Sequence, residues 1–108
     1  MVTKNREALN KDGIREVPIS ESPCRKGDFA EYYAITWLWD NGYEVFPNAG
    51  GSGPIDMVAI KDGEVTLIDV KTTDPYIHIG RTKEQKNMGV VFLGFNPVTR
   101  KLKWVNHR

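Results

Sequence analysis

Cysteine is almost absent: Cys24 is the only one in 108 residues. That rules out an internal disulfide and a thiolate zinc cluster. Histidine is scarce too. His78, alone in Tyr76-Ile77-His78-Ile79, and His107 have no partner at metal-ligand spacing, so surface or structural roles are expected for both. No apolar run approaches the roughly 18 to 20 residues needed to span a bilayer. The N-terminus, with Lys4, Arg6, Glu7 and Lys11, lacks the apolar core of a secretion signal. These absences point to a reducing, cytoplasmic setting and no membrane. Net charge is only +1, which by itself names no partner.

What is present suits one hydrophobic core. Hydrophobic residues make up 40% and charged residues 27%, ordinary values for a globular chain. The expectation is a single domain over 1–108, with its core at about 22–105 and residues 1–21 as an extension. The charges are unevenly spread. Residues 1–27 balance to +2, residues 28–80 to −7 and residues 81–108 to +6. An acidic middle between basic flanks suits a cation site beside a phosphate-binding surface, although solvated surface charge explains such clustering equally well.

Thr3 is placed to cap a short helix over Lys4–Lys11 that ends at Gly13, and Val17-Pro18-Ile19 reads as extended. Ser22-Pro23 is a helix start, serine as the cap and proline at the first helical position. The spacing predicts a helix to about Asn41, stopped by Gly42. Ala30, Tyr33, Ala34, Trp37 and Leu38 follow helical spacing and give it a buried aromatic stripe, widened by Phe29, Ile35 and Trp39. Tyr43–Phe46 reads as a strand, and Pro47–Pro54 as a loop with three glycines and two prolines. Two apolar strands follow, Ile55–Ile60 and Val65–Val70, around Asp62-Gly63, a strong hairpin turn. Thr72–Gly80 reads as loop. Thr82 and Gln85 match a capping box, opening a short helix that Gly89 ends. Val90–Phe95 and Lys101–Val105 form a last hairpin through Asn96–Arg100. The plan is α/β, a mixed sheet with helices.

A two-residue turn at Asp62-Gly63 fixes the register. Ile60 then faces Val65, Val58 faces Leu67, Met57 faces Ile68, and Asp56 faces Asp69. Opposed residues hold their Cβ atoms roughly 4.5 to 5.5 Å apart, and alternation returns Lys71 to the face of Asp69. Both faces are otherwise apolar, which predicts cover on both sides. Two facing carboxylates there repel, and burying one unpaired is costly. A divalent cation held by both resolves the conflict. The bland alternative is that both aspartates end their strands in water, with Lys71 as an ion-pair partner.

These residues resemble a known family. Pro54-Ile55-Asp56, twelve residues, then Asp69-Val70-Lys71 looks like the PD-(D/E)XK signature of the restriction-endonuclease-like nuclease superfamily. Arg25-Lys26-Gly27-Asp28-Phe29-Ala30-Glu31 resembles the opening helix of archaeal-type Holliday junction resolvases and small phage or mobile-element nucleases, and the glycine loop with Ser52 is similar to theirs. One departure is Ile55, where the signature places aspartate directly after proline. The resemblance covers about residues 24–95. It implies a restriction-endonuclease-like fold, a central mixed β-sheet flanked by helices. It further implies that Asp56 and Asp69 bind Mg²⁺, which Mn²⁺ can replace. Glu31 would complete that site, with Val70 added as a ligand that has only its main chain to offer. Lys71 would orient or deprotonate the attacking water, and Gln85 matches a polar residue on the helix after the motif. The implied reaction is hydrolysis of DNA phosphodiester bonds by a homodimer, with branched, Holliday junction-like DNA as one candidate substrate and the preferred DNA structure left open.

The chemistry fits those residue types. Phosphodiester hydrolysis needs an activated water, charge stabilisation at phosphorus and help for the leaving oxygen, and one or two Mg²⁺ ions serve all three. A nearby lysine acts as a base or remains a stabilising cation. Each residue also has a plainer reading: Glu31 at the positive end of its helix, Gln85 in its capping box, Ser52 shaping its loop, Arg25 and Lys26 as surface charge. Arg81, Lys83, Lys86, Arg100, Lys101 and Lys103 are the expected phosphate contacts, being most of the basic C-terminal third. Trp39 and Tyr32 are candidates to face a partner subunit. The rival functions are a single-strand or RNA nuclease and a non-catalytic nucleic-acid-binding module of the same fold.

Overall fold

The computed structural model describes residues 8–9, 15–16, 22–72 and 80–106. Its elements are β1 (Ala8–Leu9), β2 (Arg15–Glu16), α1 (Pro23–Asp40), β3 (Glu44–Pro47), β4 (Met57–Lys61), β5 (Glu64–Thr72), α2 (Lys83–Met88), β6 (Val91–Phe95) and β7 (Leu102–Trp104). Strands β3 to β7 form one five-stranded sheet whose spatial order follows chain order. Every neighbouring pair in it is antiparallel except β5 and β6, which run parallel. A parallel pair needs a crossover, and α2 lies in that crossover. The architecture is α/β with a mixed sheet, as expected from the sequence.

Local chemistry sets both ends of α1. Ser22 caps its start, accepting the Arg25 N–H at 3.5 Å, with Pro23 next to it. At the far end Gly42 takes φ +89°. The Gly42 N–H bonds the Trp39 carbonyl and the Tyr43 N–H bonds the Leu38 carbonyl, each at 3.0 Å. That pair of bonds closes a Schellman motif around a left-handed residue.

One face of the sheet is covered by α1. Ala30, Ala34 and Leu38 pack with Met57, Ala59, Ile68, Val70, Leu93 and Phe95. The two alanines let the helix lie close to the strands, and Leu38 fills the space beyond, worth roughly 1.5 to 3 kcal/mol of burial. Phe95 belongs to this core, and further aromatic rings pack at its margins. Tyr33 lies 5.0 Å from Phe95 and Trp37 lies 6.3 Å from Trp104, ring centre to ring centre. Trp39 does not join the buried stripe, since it is 70% exposed. One residue past Leu38, it is turned about 100° away from the sheet.

Several expectations need correction. Cover on both faces is incomplete, because Val65 is 61% exposed and Val58, Ile60 and Leu67 are only half-buried. The second face is closed at the opposite end of β5, where Gln85 of α2 meets Asp69. Ile55 and Asp56 fall outside the strand, since the β4–β5 ladder ends at Met57–Ile68. Ala8 and Leu9 are extended and pair antiparallel with Glu16 and Arg15, not helical. A one-to-two-turn helix is marginal without packing, and Asp12-Gly13 is turn chemistry that favours a hairpin. The Thr3 cap, the Gly13 stop, the extended Val17–Ile19, most of the loop after Thr72, and both histidines lie outside the described residues.

Candidate active site

The site is built from the β4–β5 hairpin outward. Asp62 and Gly63 take φ +52° and +78°, the pair of left-handed residues a type I′ turn requires. The ladder then runs from Lys61–Glu64 to Met57–Ile68, the register the turn predicted. Asp56 sits one residue before it. The Asp56 N–H donates to the Ile68 carbonyl at 2.8 Å, and its carbonyl accepts from the Asn48 N–H at 2.9 Å.

Asn48 organises the loop that delivers Asp56. Its Nδ2 donates to the carbonyls of Ser52 (2.8 Å) and Ile55 (3.0 Å), and its Oδ1 accepts from the Gly50 N–H at 2.9 Å. The sequence reading passed over this residue. The available signal was an asparagine among glycines and prolines, where its side chain readily bonds nearby backbone.

Three carboxyl groups meet here. Asp56 Oδ2 accepts from the Val70 N–H at 2.7 Å, and its carboxyl is within hydrogen-bonding reach of both Asp69 and Glu31. Burial, then the shared hydrogen bond with Asp69, push its pKa from an ordinary 3.8 up to about 8. Glu31 adds to the rise and the Val70 N–H opposes it. At neutral pH Asp56 therefore holds a proton between its neighbours.

Asp69 is buried and its Oδ2 has two donors, Gln85 Nε2 at 2.7 Å and Lys71 Nζ at 3.2 Å. The Lys71 ammonium also lies 5.3 Å from the centre of the Phe92 ring. Gln85 reaches further, donating from Nε2 to the Pro54 carbonyl at 3.0 Å. Its Oε1 accepts the Thr82 N–H, while Thr82 Oγ1 accepts the Gln85 N–H. The capping box and the contact with the carboxylates are thus made by one side chain at once.

The sheet and its placement of α1 match a solved structure. The fold is shared with a bacterial homing endonuclease. That protein, I-Ssp6803I, superposes with a TM-score of 0.61 at 18% identity, over 80% of this chain and 66% of its own. This chain therefore spans just under two thirds of the homing endonuclease, and at that identity the likeness establishes the fold alone. No family model and no curated protein matches the sequence.

The remaining candidates are dispersed. Arg25 is exposed and Lys26 partly exposed in the first turn of α1, Ser52 is exposed in the glycine loop, and Lys83 and Lys86 are exposed on α2. Arg81 is tied inward, with Nη1 donating to the Val90 carbonyl at 3.1 Å, a bond that leaves its other donors available. Arg100 lies flat against Phe29, 4.4 Å from the ring centre. It is Lys71, and none of these, that the structure ties to the carboxylates.

Among the described residues, no group of three histidine, cysteine or acidic side chains is set to hold a metal ion. Mg²⁺ does not require one, being commonly held by one or two carboxylates and water. The donor chemistry fits such a cation, because the carboxyls of Asp56 and Asp69 come within hydrogen-bonding reach of each other and offer the hard oxygen ligands that Mg²⁺ takes. Between α1 and the glycine loop a groove of about 260 Å³ opens onto Asp56 and Glu31. Among the described residues no helix is long and apolar enough to cross a membrane.

Proposed function

We propose that this chain is a Mg²⁺-dependent DNA endonuclease of the PD-(D/E)XK type, acting as a homodimer on branched, Holliday junction-like DNA. One observation carries the reading: the carboxyls of Asp56 and Asp69 come within hydrogen-bonding reach of each other at the end of the hairpin, while Lys71 holds the second of them at 3.2 Å. The likeness to a homing endonuclease supports the endonuclease class.

Asp56 and Asp69 would hold the cation, with Glu31 beside them. Val70 would add its carbonyl, because a strand residue directs N–H and C=O to the same side and its N–H points at Asp56. Bound there, Mg²⁺ supplies a Lewis acid and lowers the pKa of a coordinated water. Gln85 fixes the Asp69 carboxylate so that it need not reorganise when substrate arrives. Lys71 presents an ammonium beside the metal ligands, placed to orient the attacking water and to neutralise charge building on the phosphoryl oxygens. Arg25, Lys26, Arg81, Lys83, Lys86 and Ser52 would bind the flanking phosphates. Cutting two strands takes two such centres, hence the dimer.

The test is cleavage of branched, duplex and single-stranded DNA and of RNA in Mg²⁺ or Mn²⁺. Wild type should cut branched DNA fastest. Asp69→Ala should lower cleavage by at least about a thousandfold, as expected where ligand loss removes most of the metal's share of catalysis, while binding in Ca²⁺ persists. Cleavage by Asp69→Ala at the wild-type rate sinks the assignment.

A further inference from the structure

The groove beside Asp56 differs chemically from the basic surfaces assigned to phosphate. Its walls are α1 on one side and the glycine loop on the other, and among the described residues no lysine or arginine lines it. Tyr32 and Ile35 supply apolar surface, Asp28 and Glu31 supply acceptors, and Asp56 forms the end nearest the carboxylate pair. Tyr32 is 71% exposed, so most of its ring is open to a stacking partner. At about 260 Å³ the space lies just under the usual range of small-molecule sites, roughly 300 to 1,000 Å³. It admits one ring system and not a length of duplex.

From these features we infer that the groove receives a single unpaired nucleobase of the substrate strand, stacked on Tyr32 next to the bond to be cut. The inference rests on the nuclease reading of Asp56 and Asp69. Away from the proposed cation a phosphate is the wrong occupant, because Asp28 and Glu31 repel it. A base is the right one. Its faces are uncharged and stack on an aromatic ring, and its edge carries N–H donors for a carboxylate. A base inside an intact duplex must first be unstacked and unpaired, at a cost of about a few kcal/mol. A substrate that offers a nucleotide already out of the stack, as at a branch point, bulge or single-stranded end, avoids that cost and is the one the groove favours.

The test uses the full-length chain and three DNA duplexes: one with a single unpaired 2-aminopurine, one fully paired, and one with an abasic site at the same position. Wild type and Tyr32→Trp should quench the unpaired 2-aminopurine and cut that duplex in Mn²⁺ with the lowest KM. Tyr32→Ala should abolish the quenching and raise KM on the bulged duplex about tenfold, the scale of losing one base–aromatic stack, with kcat little changed. The penalty should vanish on the abasic duplex. An equal penalty on both, or unaltered quenching in Tyr32→Ala, overturns the subsite. A change in oligomeric state of Tyr32→Ala without loss of quenching assigns the ring to a subunit contact and overturns it as well. If wild type cuts none of the duplexes but quenches the unpaired base, the nuclease reading fails and the base subsite stands.

Discussion

Asp56 is the residue whose chemistry is most displaced. Its pKa of about 8 lies well above the ordinary 3.8, so between those pH values the folded chain holds a proton that the unfolded chain has released. Folding is then favoured by this group below about pH 4, and the advantage is lost as pH rises through about 8. Metal-free protein should accordingly lose stability across that range. Asp56→Asn keeps an acceptor for the Val70 N–H and removes the titration. It should flatten the fall and unfold later than wild type at pH 8 in EDTA. Because the carboxyl is partly exposed, screening limits the gain to about 1 kcal/mol, or about 4 to 8 °C in Tm. Parallel pH profiles for the two proteins would contradict the shared proton. The pairing of Asp56, Asp69 and Lys71 at one strand end was readable because Asp62-Gly63 dictates register locally. Asn48 was not, because its importance comes from main-chain groups that no side-chain pattern reveals.

Among the elements, the glycine loop links the sheet to the carboxylates. It has little apolar burial of its own, so its shape depends on the three hydrogen bonds of Asn48. Asn48→Ala should cost about 1 kcal/mol, the net worth of hydrogen bonds whose exposed backbone partners water can take over, read by chemical denaturation. It should also weaken Mn²⁺ binding, measured by calorimetry, since the Asn48 N–H to Asp56 carbonyl bond no longer joins an ordered loop. Unchanged metal affinity would show that Asp56 is placed by the sheet alone. The ends of α1 and α2 were legible, as Ser22-Pro23, Gly42, Thr82 and Gly89 are strong local signals. Ala8–Leu9 was misread as helical because a stretch so short carries too few periodic positions to outweigh its partner, Arg15–Glu16.

For the molecule as a whole, the mixed sheet was foreseeable from alternating apolar runs, but its half-open second face was not. The sequence of Val58, Ile60, Val65 and Leu67 is equally apolar whether or not a neighbour arrives. Trp39 belongs to the same scale: a large exposed ring on the helix face turned away from the core, it is the residue on which to test the proposed contact with a second copy. Trp39→Glu should convert the proposed dimer to a monomer in light scattering after gel filtration, without lowering Tm by more than a few degrees. A mass that stays at two chains would place the interface elsewhere.

The bond from Gln85 to Asp69 carries a consequence for how the molecule is made. During synthesis the hairpin emerges first, and its turn brings the two aspartates into line at once. Lys71 follows within two residues, but Asp69 waits for its second donor some sixteen residues downstream, and β5 waits for the parallel strand that follows it. A ribosome-bound chain therefore carries the carboxylates of the proposed centre before it can hold them in place, and the last third of translation completes their surroundings.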